Sequence, residues 1–319
     1  LLLSSALIVG LFAGLVYMFS IVPGSFIPEE DKGFFLVDVQ LPAAASLTRT
    51  GQYMDDLYRI LEGDPAIETV LSVNGYSILN TALQSNAGMI IVKLKDWSDR
   101  KDPAQHQFAL QKKYQGLFNQ LRGGRTLVFG APAIPGLGAV AGFSYVLQDT
   151  QSKGAAEMSQ MLGTTLASAN QRPEISRAFS TFRADYPQIW LEIDRVRAKT
   201  LGVVVSDIFL TLQTNLGGFY VNDFNLFGKT YRVMVQADSQ YRQTEQDLRN
   251  LYVANKQGEM VSMSALVKAV PVQGADVLYR YNTYDSATIN GAPNGAGGYS
   301  SGDAMLAMED LSAQVLAPG

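Results

Sequence analysis

The side chains that do most of the chemistry in proteins are scarce in this chain. Its 319 residues include no cysteine and one histidine, His106. Disulfides, thiolate nucleophiles, cysteine metal sites and His-based triads fall with that count. His106 stands between Gln105 and Gln107 in a polar helical stretch, the setting of a solvated surface residue rather than of a general base. Gly136 and Gly138, and Gly295, Gly297 and Gly298, form clusters that lack the GxxxxGK[ST] spacing of a phosphate loop and read as turns. The acidic run Glu29, Glu30 and Asp31 follows Pro28 and reads as a solvated turn rather than a cation site. Met158, Met161, Met305 and Met308 recur at helical spacings, as core methionines do, whereas a soft-metal path would need them along a channel. No catalytic residue, no metal site and no cofactor is expected.

What remains is apolar and aromatic surface. A cleft walled by such side chains, with few polar groups, binds amphiphiles of many shapes because burial of area needs no directional bonds. Hydrophobic residues make up 47% of the chain and charged residues 17%, a balance tilted toward a membrane contribution. The formal charge of −4 supplies no basic field for nucleic acid.

The apolar excess has a local source. Residues 1–22 (LLLSSALIVGLFAGLVYMFSIV) carry no charge, and at ~1.5 Å per residue they reach about the thickness of a bilayer core. The run has no basic start and no small-residue cleavage site, so it reads as a transmembrane helix rather than a signal peptide. Its abrupt apolar beginning suggests a polypeptide that continues upstream.

Beyond it, a pattern of alternating strands and helices begins. Residues 34–41 (FFLVDVQL) read as a strand, Ser46 or Thr48 as a helix N-cap, and Tyr53, Leu57, Ile60 and Leu61 as one helix face. Gly63, Asp64 and Pro65 stop that helix, and residues 67–73 read as a strand. Strand 89–94, helix 105–121 and strand 126–129 follow, giving the order βαββαβ of a split-βαβ, ferredoxin-like unit. A second copy starts with strand 143–149, a helix over 155–169, the strand-like SRAFSTF, and strand 188–193. Its other half resumes at 286–290 with a helix over 303–315, and lacks a final strand. Between the halves, a helix SDIFLTLQT and the stretches GGFYVNDF, KTYRVMVQA and LRNLYVAN read as a separate α+β insert. The expected architecture is α+β: a transmembrane helix at 1–22, a first ferredoxin-like unit at 33–150, a second, truncated one at 151–200 and 279–319, and an insert at 201–278.

Short segments in a fixed order carry a resemblance. They are FIPEEDKGFF (26–35), VQLP (39–42), VNG (73–75), LKDW (94–97), PAIPGLGAVAGF (132–143), LGV (201–203) and YVNDF (220–224). In order and spacing the chain resembles the hydrophobe/amphiphile branch of the resistance-nodulation-division efflux pumps. That resemblance implies a proton-driven export of amphiphilic drugs, dyes and detergents. It implies that 1–22 is the seventh membrane helix, that the two ferredoxin-like units are porter subdomains, and that the insert docks to an outer-membrane channel. It further implies a homotrimer gripped by a periplasmic adaptor protein, placed in the bacterial inner membrane with most of this chain in the periplasm. The proton relay would lie on membrane helices outside this chain, because residues 1–22 hold no Asp, Glu, Lys or Arg. By the same resemblance Leu71, Tyr76, Ile78, Ile91, Phe143 and Tyr145 line the deep drug pocket, and Gly75, Ser77, Leu79 and Asn80 belong to a switch loop between Gly75 and Gly88. Family members place phenylalanine at most of the pocket positions, and glycines inside the loop; Leu71, Ile78, Ile91 and a glycine-free YSILNTALQSNA depart from that pattern. Read from their pattern alone, the six pocket residues also fit ordinary sheet core. A heavy-metal exporter of the same superfamily and a membrane-anchored scaffold domain are the alternative functions.

Overall fold

The computed structural model describes residues 2–21, 30–132, 134, 136, 138 and 140–316. Parts of the FIPEEDKGFF and PAIPGLGAVAGF segments, Glu29 and residues 317–319 lie outside them. Helix α1, Leu2–Ile21, is apolar all round, and Leu7, Phe12, Val16 and Phe19 are each more than half exposed. Among the described residues no helix is long and apolar enough to cross a membrane. The expected crossing at 1–22 is therefore not matched. The side chains at both ends of α1, and all of Leu1 and Val22, lie outside the described residues, and the remainder falls short.

The chain forms two compact units, residues 187–273 and the remainder. The larger unit opens with strand β1, Phe34–Gln40, and helix α2, Leu47–Leu61. The Ser46 side chain accepts from the Arg49 N–H at the start of α2, and Tyr53, Met54, Leu57 and Leu61 form its buried stripe. The helix ends where Gly63 takes φ 88° and the Asp64 carboxylate accepts from the Ala66 N–H. Strands β2, Ile67–Ser77, and β3, Ala82–Leu94, make a long hairpin, followed by helix α3, Gln107–Phe118, and strand β4, Arg125–Phe129. Helix α3 is shorter than the expected 105–121 because Asp102 caps a separate 3₁₀ turn at Pro103–Gln105. All pairings are antiparallel, in the order β2-β3-β1-β4. Phe35, Val37 and Val39 of β1 face Leu57, Leu61, Tyr114 and Phe118 in a dry core under both helices.

Asp31 joins the start of this unit to the β3–α3 connection. It accepts from Arg100 and from the N–H groups of Gly33 and Gln107. Burial alone would raise its pKa, but the Arg100 guanidinium and those N–H donors hold it well below the usual carboxylate range. The acidic run expected as a solvated turn thus contributes a buried anchor.

The second half of the unit begins with strand β5, Phe143–Asp149, helix α4, Ala155–Ala169, and strand β6, Ile175–Phe179. The chain then enters the smaller unit through strand β7, Tyr186–Ile193. Helices α5, Arg195–Thr200, and α6, Val205–Leu212, and the hairpin of β8, Phe219–Leu226, with β9, Lys229–Val235, come next. Strands β10, Tyr252–Ala254, and β11, Met260–Ser262, form a short ribbon, and β12, Val267–Gly274, pairs with β7. Ala198, Ile208, Leu248, Met263 and Leu266 make this unit's core. Two expectations change here. Strand β7, assigned from the sequence to the second porter unit, is paired within the insert. The stretch LRNLYVAN is extended only at β10, because a Thr244–Asp247 capping box sets Glu245–Asn250 into a 3₁₀ turn.

The larger unit resumes with β13, Tyr279–Tyr281, β14, Tyr284–Pro293, and helix α7, Ser301–Val315, opened by a Ser300–Asp303 capping box. Central β14 pairs with β5 along one edge and with β13 and β6 along the other. Helices α4 and α7 cover the sheet through Met158, Leu162, Met308 and Leu311, so two of the four methionines are core.

Candidate functional site

The first sheet has a second face, whose apolar cluster includes no residue of a described helix. Cross-strand register sets two rows on it: Leu71, Ile91, Leu36 and Phe129, and Val73, Met89, Asp38 and Leu127. Phe179 of β6 packs on this face with Leu36, Leu127 and Phe129. The tip of the β2–β3 hairpin folds over it, adding Ile78 and Leu79. Beside β4 the face opens into a cavity of about 120 Å³ lined by Leu127, Phe129, Val140, Phe179 and Gly291.

One carboxylate stands in this apolar field. Asp38 is 3% exposed and accepts from Ser77 Oγ at 3.1 Å and from the N–H groups of Ile78 and Leu79. Burial pushes its pKa up to about 6, against the pull of those hydrogen bonds and of the Arg125 charge. Asp38 therefore pins the hairpin tip to the sheet. Asn80 adds to the anchor: its N–H donates to Ser77 Oγ, its side chain to Gln84 Oε1 at 3.1 Å, and its carbonyl accepts from the Tyr279 hydroxyl. Gln84 in turn donates to Asp276.

The expected loop from Gly75 to Gly88 is mostly strand. Ser77 pairs with Ala82 and Tyr76 with Leu83, so only residues 78–81 turn. Gly75, at φ 83°, sits where the register shifts, and a Cβ there would crowd Leu47. Ser77 and Asn80 are buried, and Leu79 packs on the sheet.

Of the six pocket positions, Leu71, Ile78 and Ile91 lie on this face, with Leu71 half exposed. Tyr76 is half-buried at the hairpin stem. Phe143 and Tyr145 belong to the other core. The Phe143 ring lies against Gly291, and the Tyr145 hydroxyl is 2.7 Å from Ser312 Oγ. Leu36, Leu127, Phe129 and Phe179 complete the face without having been singled out. Alternation along FFLVDVQL and RTLVF was the available signal, since every second residue must face away from the helices.

The AcrB/AcrD/AcrF family profile matches residues 2–319. The chain belongs to this family. Similar AcrB/AcrD/AcrF-type proteins include the multidrug export protein AcrF of Escherichia coli, 39% identical over 95% of this chain. The toluene efflux pump membrane transporter TtgB of Pseudomonas putida is 36% identical over 98%, and the multidrug resistance protein MdtF of Escherichia coli 31% identical over 95%. The chain spans 29% of the length of each of these relatives. By name AcrF is an export protein and TtgB an efflux pump membrane transporter.

Proposed function

We propose that this chain is the periplasmic substrate-handling part of a proton-driven resistance-nodulation-division permease that exports amphiphilic drugs, dyes and detergents. The observation that carries the reading is the face of the first sheet turned away from α2 and α3, an apolar cluster of Leu36, Ile91, Leu127, Phe129 and Phe179 under a hairpin tip that Asp38, Ser77 and Asn80 anchor. Such a face takes up apolar area without demanding one ligand shape.

In this reading the two βαβ-built halves of the larger unit are ferredoxin-like porter subdomains, and the unit of residues 187–273 meets an outer-membrane channel. Helix α1 lies against lipid or neighbouring membrane helices, since its exposed leucines, valines and phenylalanines would be costly in water. The assembly is a homotrimer in the inner membrane, joined by a periplasmic adaptor, and the proton relay sits on other parts of the pump. With Leu71, Ile78 and Ile91 in place of rings, the site favours aliphatic amphiphiles over planar dyes.

The test is susceptibility of a pump-deleted Gram-negative host expressing the full-length parent gene with its adaptor. Wild type is expected to protect against detergents more than against dyes, and an Ile78→Ala/Ile91→Ala pump, inserted at wild-type level, to lose most of that protection. A wild-type gene that protects against nothing would sink the export reading, and dyes exported best would sink the aliphatic preference.

A further inference from the structure

The tip of the β2–β3 hairpin is fastened from two sides. From the sheet, the Asp38 carboxylate takes the N–H groups of Ile78 and Leu79, and Ser77 Oγ takes that of Asn80. From outside, the fastening comes from the chain where it leaves the smaller unit: the Tyr279 hydroxyl donates to the Asn80 carbonyl, and the Asp276 carboxylate accepts from Gln84. The chain entering that unit is tied nearby, the Ala44 N–H donating to the Tyr186 hydroxyl at 3.2 Å. Tyr186 opens β7, Asp276 lies two residues beyond β12, and those two strands pair. Both crossings therefore meet at the tip, where Gln40, Asn80, Asn86, Tyr186, Asp276 and Tyr279 close around a gap of only about 10 Å³.

Two features distinguish this fastening from ordinary core packing. It is polar: Ser77, Asn80 and Gln84 are buried and held by hydrogen bonds, each of which exchanges for water at a small net cost. It also holds strain. Thr81, the last residue of the turn, takes φ 49°, and Ala44 takes φ 64°, left-handed values that a β-branched threonine above all adopts only when its surroundings impose them.

We propose that Asp276 and Tyr279 form a latch that holds the hairpin tip shut over the apolar face, and that the tip and the two chain crossings loosen together in one step. Opening relaxes Thr81 and lifts Ile78 and Leu79 from the cluster beneath them, so the latch sets the fraction of molecules whose face can be reached. The latch concerns the face on which the export reading rests, but its test reads hairpin motion and not transport, so either can fail alone.

Amide hydrogen exchange of the whole chain, kept in solution by a non-ionic amphipol, tests it, because the N–H groups of Ile78, Leu79 and Asn80 are bonded to Asp38 and Ser77 in the closed tip. Tyr279→Phe, which removes one hydroxyl, should speed exchange at those three amides about fivefold. Asp276→Ala should speed it about tenfold, since it also strands the buried Gln84 amide, while the amides of central strand β1 stay unchanged. In the reverse direction Gln84→Met, on the hairpin side, should speed exchange across residues 181–186 and 275–279. Thr81→Asn, whose side chain suits the left-handed region, should slow exchange at the tip about threefold. Tip exchange indifferent to both Tyr279→Phe and Asp276→Ala would overturn the latch. So would equal acceleration in β1, the mark of general destabilisation, or crossings that ignore Gln84→Met. Faster exchange in Thr81→Asn would overturn the strained closed state.

Discussion

The two faces of the first sheet are built from the same strands and behave as opposites. Toward α2 and α3, Phe35, Val37, Val39 and Ile90 interlock with Leu57, Tyr114 and Phe118 and are almost wholly buried. Toward the other side, Leu36, Leu127 and Phe129 are buried as well, under the hairpin tip, Phe179, Ala131 and Val140, while Leu71 and Ile91 keep part of their surface exposed. Adjacent residues such as Ile90 and Ile91 therefore serve different ends. Ile90 is wholly buried under the helices, and Ile91, packed on the other cluster, keeps part of its surface exposed. The difference teaches that identical strand chemistry makes core or site according to what the connections lay over it.

Substitutions that separate the faces should rank accordingly. The largest effect is expected on the helix side: Phe118→Ala should destabilise the larger unit by about 3–5 kcal/mol in urea unfolding, since a close-packed cavity cannot collapse. Next comes Asp38. Its carboxyl is raised to about 6 in the folded chain, so the unfolded chain ionises first as pH rises from about 4, and stability falls until about pH 6. Asp38→Asn should remove that fall, a difference of up to about 3 kcal/mol between the two proteins' stability-versus-pH curves. Parallel curves would show that Asp38 is not held as described. The smallest effect belongs to Leu71→Ala, where a half-exposed side chain on the open face should cost under about 1 kcal/mol in the same unfolding assay.

Much of this organisation was legible in the sequence, for reasons that particular residues show. Helix α4 runs over Ala155–Ala169 as read, because nothing within it breaks the helix and Pro173 follows shortly after. The strand–helix order of the first half followed from Ser46, the helical spacing of Tyr53, Leu57 and Leu61, and the stop at Gly63 and Pro65. The long hairpin was not legible, since residues 82–88 carry no β-branched side chain and are held in β3 by cross-strand pairing and by the Asn80 and Gln84 hydrogen bonds. The partner of β7 was hidden for a similar reason: it lies in β12, distant in sequence. At the site, Leu71, Ile78 and Ile91 were found on the open face, whereas Phe143 and Tyr145 were not. A strand residue's pattern does not say which of two sheets will cover it.

The contrast between faces can be measured directly on neighbouring side chains. Isoleucine methyl resonances of the chain, in a non-ionic amphipol, would be followed during titration with an octyl amphiphile. Ile78 and Ile91 should shift in a saturable manner while Ile90, buried under the helices, and Ile60 of α2, packed against the same core, stay in place. If Ile90 moved as far as Ile91, or if none of the four moved, the open face would not be a binding surface and the account built on it would be wrong.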